Sequence, residues 1–118
     1  MPTMFTTTRI LLAAALMVSL ATATTLRAGQ GDAKRGQEVY AAQKCSLCHA
    51  IAGKGGKANP LDGVGAKLSA DDLRKWITHP DEMTAQTKST KKPPMPKKWA
   101  NLAAADLDAL VAYMQSLK

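Results

Sequence analysis

The chain has 118 residues, 46% of them hydrophobic and only 4% aromatic, with 16 Lys and Arg against 9 Asp and Glu for a net charge of +7. That length is one small domain, and its 2 cysteines exclude both a disulfide framework and a four-thiolate zinc site. The basic balance points to an anionic partner: an acidic protein, anionic lipid or nucleic acid.

The N-terminus predicts an export leader. Arg9 is the only charge ahead of an apolar run, Ile10 to Leu20, which gives way to small residues at Ala21-Thr22-Ala23 and Leu26-Arg27-Ala28. A basic start, a short apolar run and a small-residue end fit a Sec-type signal peptide over 1–28, cleaved after Ala23 or Ala28. The run is shorter than the ~20 residues that span a bilayer. No stable membrane insertion is expected unless the leader is retained as an anchor. Export also argues against nucleic acid, for which no binding motif is visible. The mature domain is then 29–118.

A helix is predicted from Asp32 to Lys44. Asp32 suits an N-cap, and Ala33, Gly36, Val39 and Tyr40 share one face at helical spacing. The helix leads into Cys45-Ser46-Leu47-Cys48-His49. Two cysteines two residues apart, followed at once by histidine, are the attachment signature of a c-type haem. The thiols add across two vinyl groups on one porphyrin edge, and the imidazole binds iron. A thioredoxin-like redox pair would need a βαβ context, and a zinc site would need ligands that the only other histidine, His79, cannot supply. Beyond the leader the aromatics are Tyr40, Trp76, Trp99 and Tyr113. A large flat cofactor supplies the core that so few cannot build.

Gly53-Lys54-Gly55-Gly56-Lys57 reads as a surface loop, since it fits no phosphate-binding pattern. Leu61 to Leu68, with Gly63 and Gly65, reads as irregular. Ser69 opens a helix with Asp72 three residues on, like a capping box. Leu73, Trp76 and Ile77 share its inner face, and Pro80 ends it. From Asp81 to Ala100 there is no periodicity, which predicts a functional loop. At its centre, Lys91-Lys92-Pro93-Pro94-Met95-Pro96-Lys97-Lys98, prolines stiffen the backbone around one methionine. The last helix, Ala103 to Leu117, repeats Leu107, Leu110, Val111, Met114 and Leu117 at helical spacing from a poor cap at Ala103. No strand is predicted, so the fold class is all-α.

Met95, Met83, Met114 and His79 are the candidates for a sixth iron ligand. Met114 sits on an apolar helix face and reads as core. Met83 follows Pro80 where nothing constrains it, and His79 would give a bis-histidine haem. The stiffened loop favours Met95, with His79 and Met83 as alternatives. A thioether favours Fe(II) and raises the reduction potential. With both axial positions filled, iron has no open site for a substrate, which points to electron transfer and not to an enzyme.

The order of features is a helix with Gly36 and Tyr40, the Cys45–His49 motif, Pro60-Leu61-Asp62-Gly63, a helix with Trp76, Pro94-Met95-Pro96 and a last helix with Tyr113. Together they resemble a monohaem class I cytochrome c of the bacterial periplasm, over essentially all of the mature chain. The resemblance implies three to four helices wrapped around one covalent haem c. Cys45 and Cys48 would hold the thioethers, His49 would be the proximal ligand and Met95 the distal one. Pro60 would offer its carbonyl to the proximal histidine's other nitrogen. Gly36 would let the terminal helices cross closely beside Tyr40 and Tyr113, and Trp76 would pack on the haem, in some members at a propionate. The implied function is a periplasmic one-electron carrier. The alternative is an electron-accepting cytochrome subunit of a periplasmic dehydrogenase or oxidase complex. Lys88, Lys91, Lys92, Lys97 and Lys98, with Lys44, Lys54 and Lys57 near the motif, are expected to ring the haem edge and to meet redox partners through an acidic docking surface.

Overall fold

Helix α1 (Ala23–Ala42) turns Gly36, Val39 and Tyr40 inward, the face their spacing predicts. The computed structural model describes residues 23–118, with side chains from residue 32 onward. The apolar run of the expected leader, Ile10 to Leu20, lies outside the described residues. The chain divides into two units, Met1–Gln30 and Gly31–Lys118, and the second carries every element below apart from the opening turns of α1. Among the described residues no helix is long and apolar enough to cross a membrane. Asp32 lies inside α1 and does not cap it. Nothing between Ala23 and Asp32 breaks a helix outright: Ala, Leu, Arg and Gln favour it, and each glycine costs only about 1 kcal/mol.

After α1 the backbone reverses at Lys44, which is left-handed with φ 57°, and enters a single 3-10 turn, Cys45–Leu47. Strands β1 (Ala50–Ile51) and β2 (Lys54–Gly55) then pair antiparallel, with Ala50 opposite Gly55 and Ile51 opposite Lys54. The hairpin corrects the expectation of no strands. Its two connecting residues, Ala52 and Gly53, both have positive φ, as the twist of a tight hairpin requires. Strands this short hold no readable alternation.

Helix α2 (Val64–Lys67) is one turn within the stretch expected to be irregular. Helix α3 (Ala70–Thr78) starts where Ser69 Oγ accepts the Asp72 amide, the predicted cap, and buries Leu73 and Ile77. Pro80 ends α3 but also opens helix α4 (Pro80–Thr87) from its first position, followed by Asp81 and Glu82. Proline's missing N–H is no loss at that position, and acidic side chains there oppose the helix dipole. The unbroken loop expected from Asp81 to Ala100 is therefore corrected. So is the view of Met83 as unconstrained, since it is only 4% exposed. Lys88 closes α4 in a left-handed conformation, φ 52°. A 3-10 turn, Lys97–Trp99, precedes helix α5 (Ala104–Ser116), whose cap residue Ala103 makes no side-chain bond, as its type predicts.

Val39 and Tyr40 of α1, Leu73 and Ile77 of α3, and Leu107, Leu110, Val111 and Met114 of α5 form one core. Gly36 lies against α5: a Cβ built there would stand 1.9 Å from the Ala109 carbonyl oxygen. One turn on, Tyr40 and Tyr113 meet edge to face with ring centroids 5.8 Å apart. Arg35 pairs with Asp106 across the same crossing, and Arg74 of α3 pairs with Asp108.

Candidate functional site

The 3-10 turn at Cys45–Leu47 sets the chemistry of the site. At three residues per turn, side chains three apart eclipse, so Cys45 and Cys48 face one side. The turn is closed by Cys48 and His49 amides that both donate to the Cys45 carbonyl, at 3.2 and 3.0 Å. Both cysteines are free thiols, Cys45 half-buried and Cys48 exposed, and burial pushes the Cys45 thiol above its ordinary pKa.

Three contacts hold His49. The Tyr40 hydroxyl donates to its carbonyl at 3.1 Å, which links the core of α1 to the motif. Burial, with smaller contributions from Cys45 and Tyr113, pushes the Tyr40 hydroxyl up to about 12, so it remains a donor at neutral pH. The Gly55 backbone lies on the other side, so close that a Cβ there would stand 2.2 Å from the same carbonyl oxygen, at a φ of +113° that disfavours a side chain. The Gly56 amide donates to the Ser46 carbonyl at 2.9 Å. The glycine-rich segment expected to be only a surface loop is thus a clamp on the motif. Sequence reading missed it because the segment's contacts are backbone to backbone.

The third contact orients the ring. His49 Nδ1 lies 2.9 Å from the Asn59 carbonyl oxygen. A carbonyl only accepts, so Nδ1 is the donor, and in the neutral ring this leaves Nε2 as the nitrogen that can bind a metal. The acceptor expected at Pro60 is corrected to Asn59, one residue earlier. Pro60 itself lies on the wall of the cavity described next.

A cavity of about 760 Å³ opens beside the motif, at the upper part of the range for sites that enclose a small-molecule cofactor. Cys45, Cys48 and His49 line it together with Leu61 and Val64. Leu68, Leu73, Trp76 and Ile77 come from the α3 side, and Leu110 and Met114 from α5. Pro93, Pro94, Met95 and Pro96 form another part of the wall. The cavity unites every sequence-predicted site residue: Cys45, Cys48, His49, Pro60, Trp76 and Met95. Of the other iron-ligand candidates, Met114 lines the cavity but belongs to the core cluster. Met83 and His79 are not among its lining residues. His79 is exposed, with Nδ1 2.8 Å from Thr78 Oγ1.

Trp99 is a wall residue that sequence reading left without a role. Its Nε1 donates to Gln43 Oε1 at 3.1 Å, and Lys98 Nζ lies 4.6 Å from the centre of its ring. Lys44, Lys91 and Lys98 reach the cavity as well and give its rim a positive character.

These residues fit a haem. The walls are apolar where a porphyrin needs them, two free thiols share one face, and an imidazole nitrogen is free beside them. No curated protein and no solved structure was matched. A family model described as Cytochrome c matches residues 33–118, which takes in the packed part of α1, the attachment motif and every element after it. Its members carry covalent haem c and are generally electron carriers. With that match covering most of the chain and the site built as such a haem demands, the chain belongs to the cytochrome c family.

Proposed function

We propose that the protein is a periplasmic one-electron carrier and not an enzyme, with haem held by Cys45 and Cys48 and iron held between His49 and Met95. The observation that carries the proposal is that both thiols, His49 and Met95 share the wall of one cavity. Bound there, haem supplies a one-electron Fe(III)/Fe(II) couple. His49 is oriented by Asn59, so its Nε2 is fixed in direction. Leu73, Ile77 and Leu110 exclude water from the cavity, which lowers the local dielectric. Met95 would supply a soft ligand that favours the reduced metal. Held by both His49 and Met95, the iron would have no position open to a substrate.

The test is attachment and its dependence on the thiols. Expressed in a host that matures c-type haem, the protein should keep its haem through acidic organic extraction. Its pyridine haemochrome should be that of a two-thioether haem. The double variant Cys45→Ala/Cys48→Ala should carry no covalent haem. Extraction of haem from the unaltered protein would refute the assignment.

The partner follows from charge. Lys44, Lys91 and Lys98 line the cavity, and Lys54, Lys57, Lys88, Lys92 and Lys97 are exposed around the same segments. Such a rim steers an acidic redox protein toward the haem edge. Electron transfer to an anionic acceptor protein should slow as ionic strength rises to 0.1 M, where the Debye length is ~10 Å. Lys91→Gln/Lys92→Gln/Lys98→Gln should flatten that dependence. A rate that ignores salt in the unaltered protein leaves only a solvated basic surface.

A further inference from the structure

The segment that carries Met95 has few ties to the rest of the protein. Between Ser89 and the 3-10 turn at Lys97–Trp99 it is irregular, and Pro93, Pro94 and Pro96 have no N–H to donate. Near its start, Lys91 Nζ reaches the Ala58 carbonyl only at 3.5 Å. Near its end, two residues past Met95, Lys97 pairs with Asp81.

Asp81 sits on a firm support. It is the second residue of α4, between fully buried Pro80 and buried Met83. One turn further along α4, Thr84 and Ala85 line a second cavity, of about 510 Å³, behind the methionine loop. Asp81, Pro94, Met95, Pro96 and Lys97 complete its wall. Met95, with Thr84, Pro94 and Pro96, therefore lines both the haem-sized cavity and an open groove beside α4. Asp81 and Lys97, which form the ion pair, lie on the wall of that groove.

We propose that Asp81 is a positioning residue for Met95: through Lys97 it latches the proline-bracketed loop to α4 and keeps the thioether on the wall of the haem cavity. The inference rests on Met95 as an iron ligand. The hydrogen bond from Lys97 holds the Asp81 carboxyl below its usual range, so the latch is charged at neutral pH. Both side chains are well exposed, so the latch is modest in strength and screened by salt. A modest latch suffices, because it acts on the opening of one short loop and not on global unfolding.

The experiment uses oxidised holoprotein and imidazole as an external ligand that enters only when Met95 leaves. In low salt, Asp81→Asn and Lys97→Gln should each bind imidazole about threefold to fivefold faster than the unaltered protein, the scale of one exposed ion pair. Their near-infrared methionine–iron band should weaken at a lower temperature. Asp81→Glu should keep most of the latch. The charge swap Asp81→Lys/Lys97→Asp should restore slow binding. Asp108→Asn breaks the exposed pair with Arg74, away from the loop, and should leave the imidazole rate unchanged. Asp81→Asn rates equal to the unaltered protein's, or an equal effect of Asp108→Asn, would overturn the latch alone. An unaltered protein that lacks the near-infrared band would overturn Met95 ligation and the latch with it.

Discussion

Met95→Ala should abolish the near-infrared charge-transfer band of the oxidised holoprotein and let carbon monoxide bind the reduced iron at neutral pH. The unaltered protein should show the band and take up no carbon monoxide. The effect is large because, among the described residues, no other thioether is free to take over. Met83 is buried on α4 and does not line the cavity, and Met114 lines it but is packed into the core cluster of α5. His79 faces solvent beside Thr78, so His79→Ala should leave the spectrum intact. The reduction potential of Met95→Ala should fall, since the thioether that favours Fe(II) is gone. An unaltered protein that lacks the band, and whose low-spin spectrum is lost in His79→Ala and kept in Met95→Ala, would place the sixth ligand at the histidine.

Gly36→Val should be the most damaging change away from the haem. The first added carbon would stand 1.9 Å from the Ala109 carbonyl oxygen and 2.6 Å from Tyr113 Cβ. Neither can yield, since one is helix backbone and the other is fixed to it. The crossing of α1 and α5 must widen, which separates Tyr40 from Tyr113 and loosens the Tyr40 bond to His49. The expected cost is about 3 kcal/mol or more, which lowers Tm by roughly 15 °C in a domain of this size. Ala41→Val puts the same side chain on an exposed position of the same helix and should cost less than about 1 kcal/mol. Thermal melts of the two holoproteins decide the matter. A Gly36→Val melt close to that of Ala41→Val would show that the crossing is looser than the distances imply.

What the sequence could show depended on how local each signal was. Cys45, Cys48 and His49 were legible because their chemistry lies in adjacent residues. The Ser69 cap and the inner face of α5 were legible from spacing alone, and Gly36 from the resemblance. Helix α4 was not, because Pro80 and Met83 are the only apolar side chains it buries. Two such residues make no period, and a proline that follows a periodic stretch marks the helix it ends more plainly than the one it begins. The Nδ1 partner of His49 fell one residue from its expected place, since the choice between the Asn59 and Pro60 carbonyls depends on a backbone direction that neither side chain announces. Trp99 and Gln43, joined across the cavity's edge by one hydrogen bond, are too far apart in the chain for any spacing rule to connect them.

Lys44 and Lys88 both hold left-handed backbone, with φ of 57° and 52°. Each lies where a helix ends and where glycine is the usual solution, and a side chain there costs roughly 1–2 kcal/mol. Glycine at either turn would relieve the strain and delete a cation, one of which faces the haem cavity directly. Charge at these two turns is thus opposed by the local preference of the backbone, whereas most of the other lysines on this surface meet no such opposition. The two turns couple the protein's resistance to unfolding to the strength of its positive surface potential, so that at these positions one is gained only by giving up some of the other.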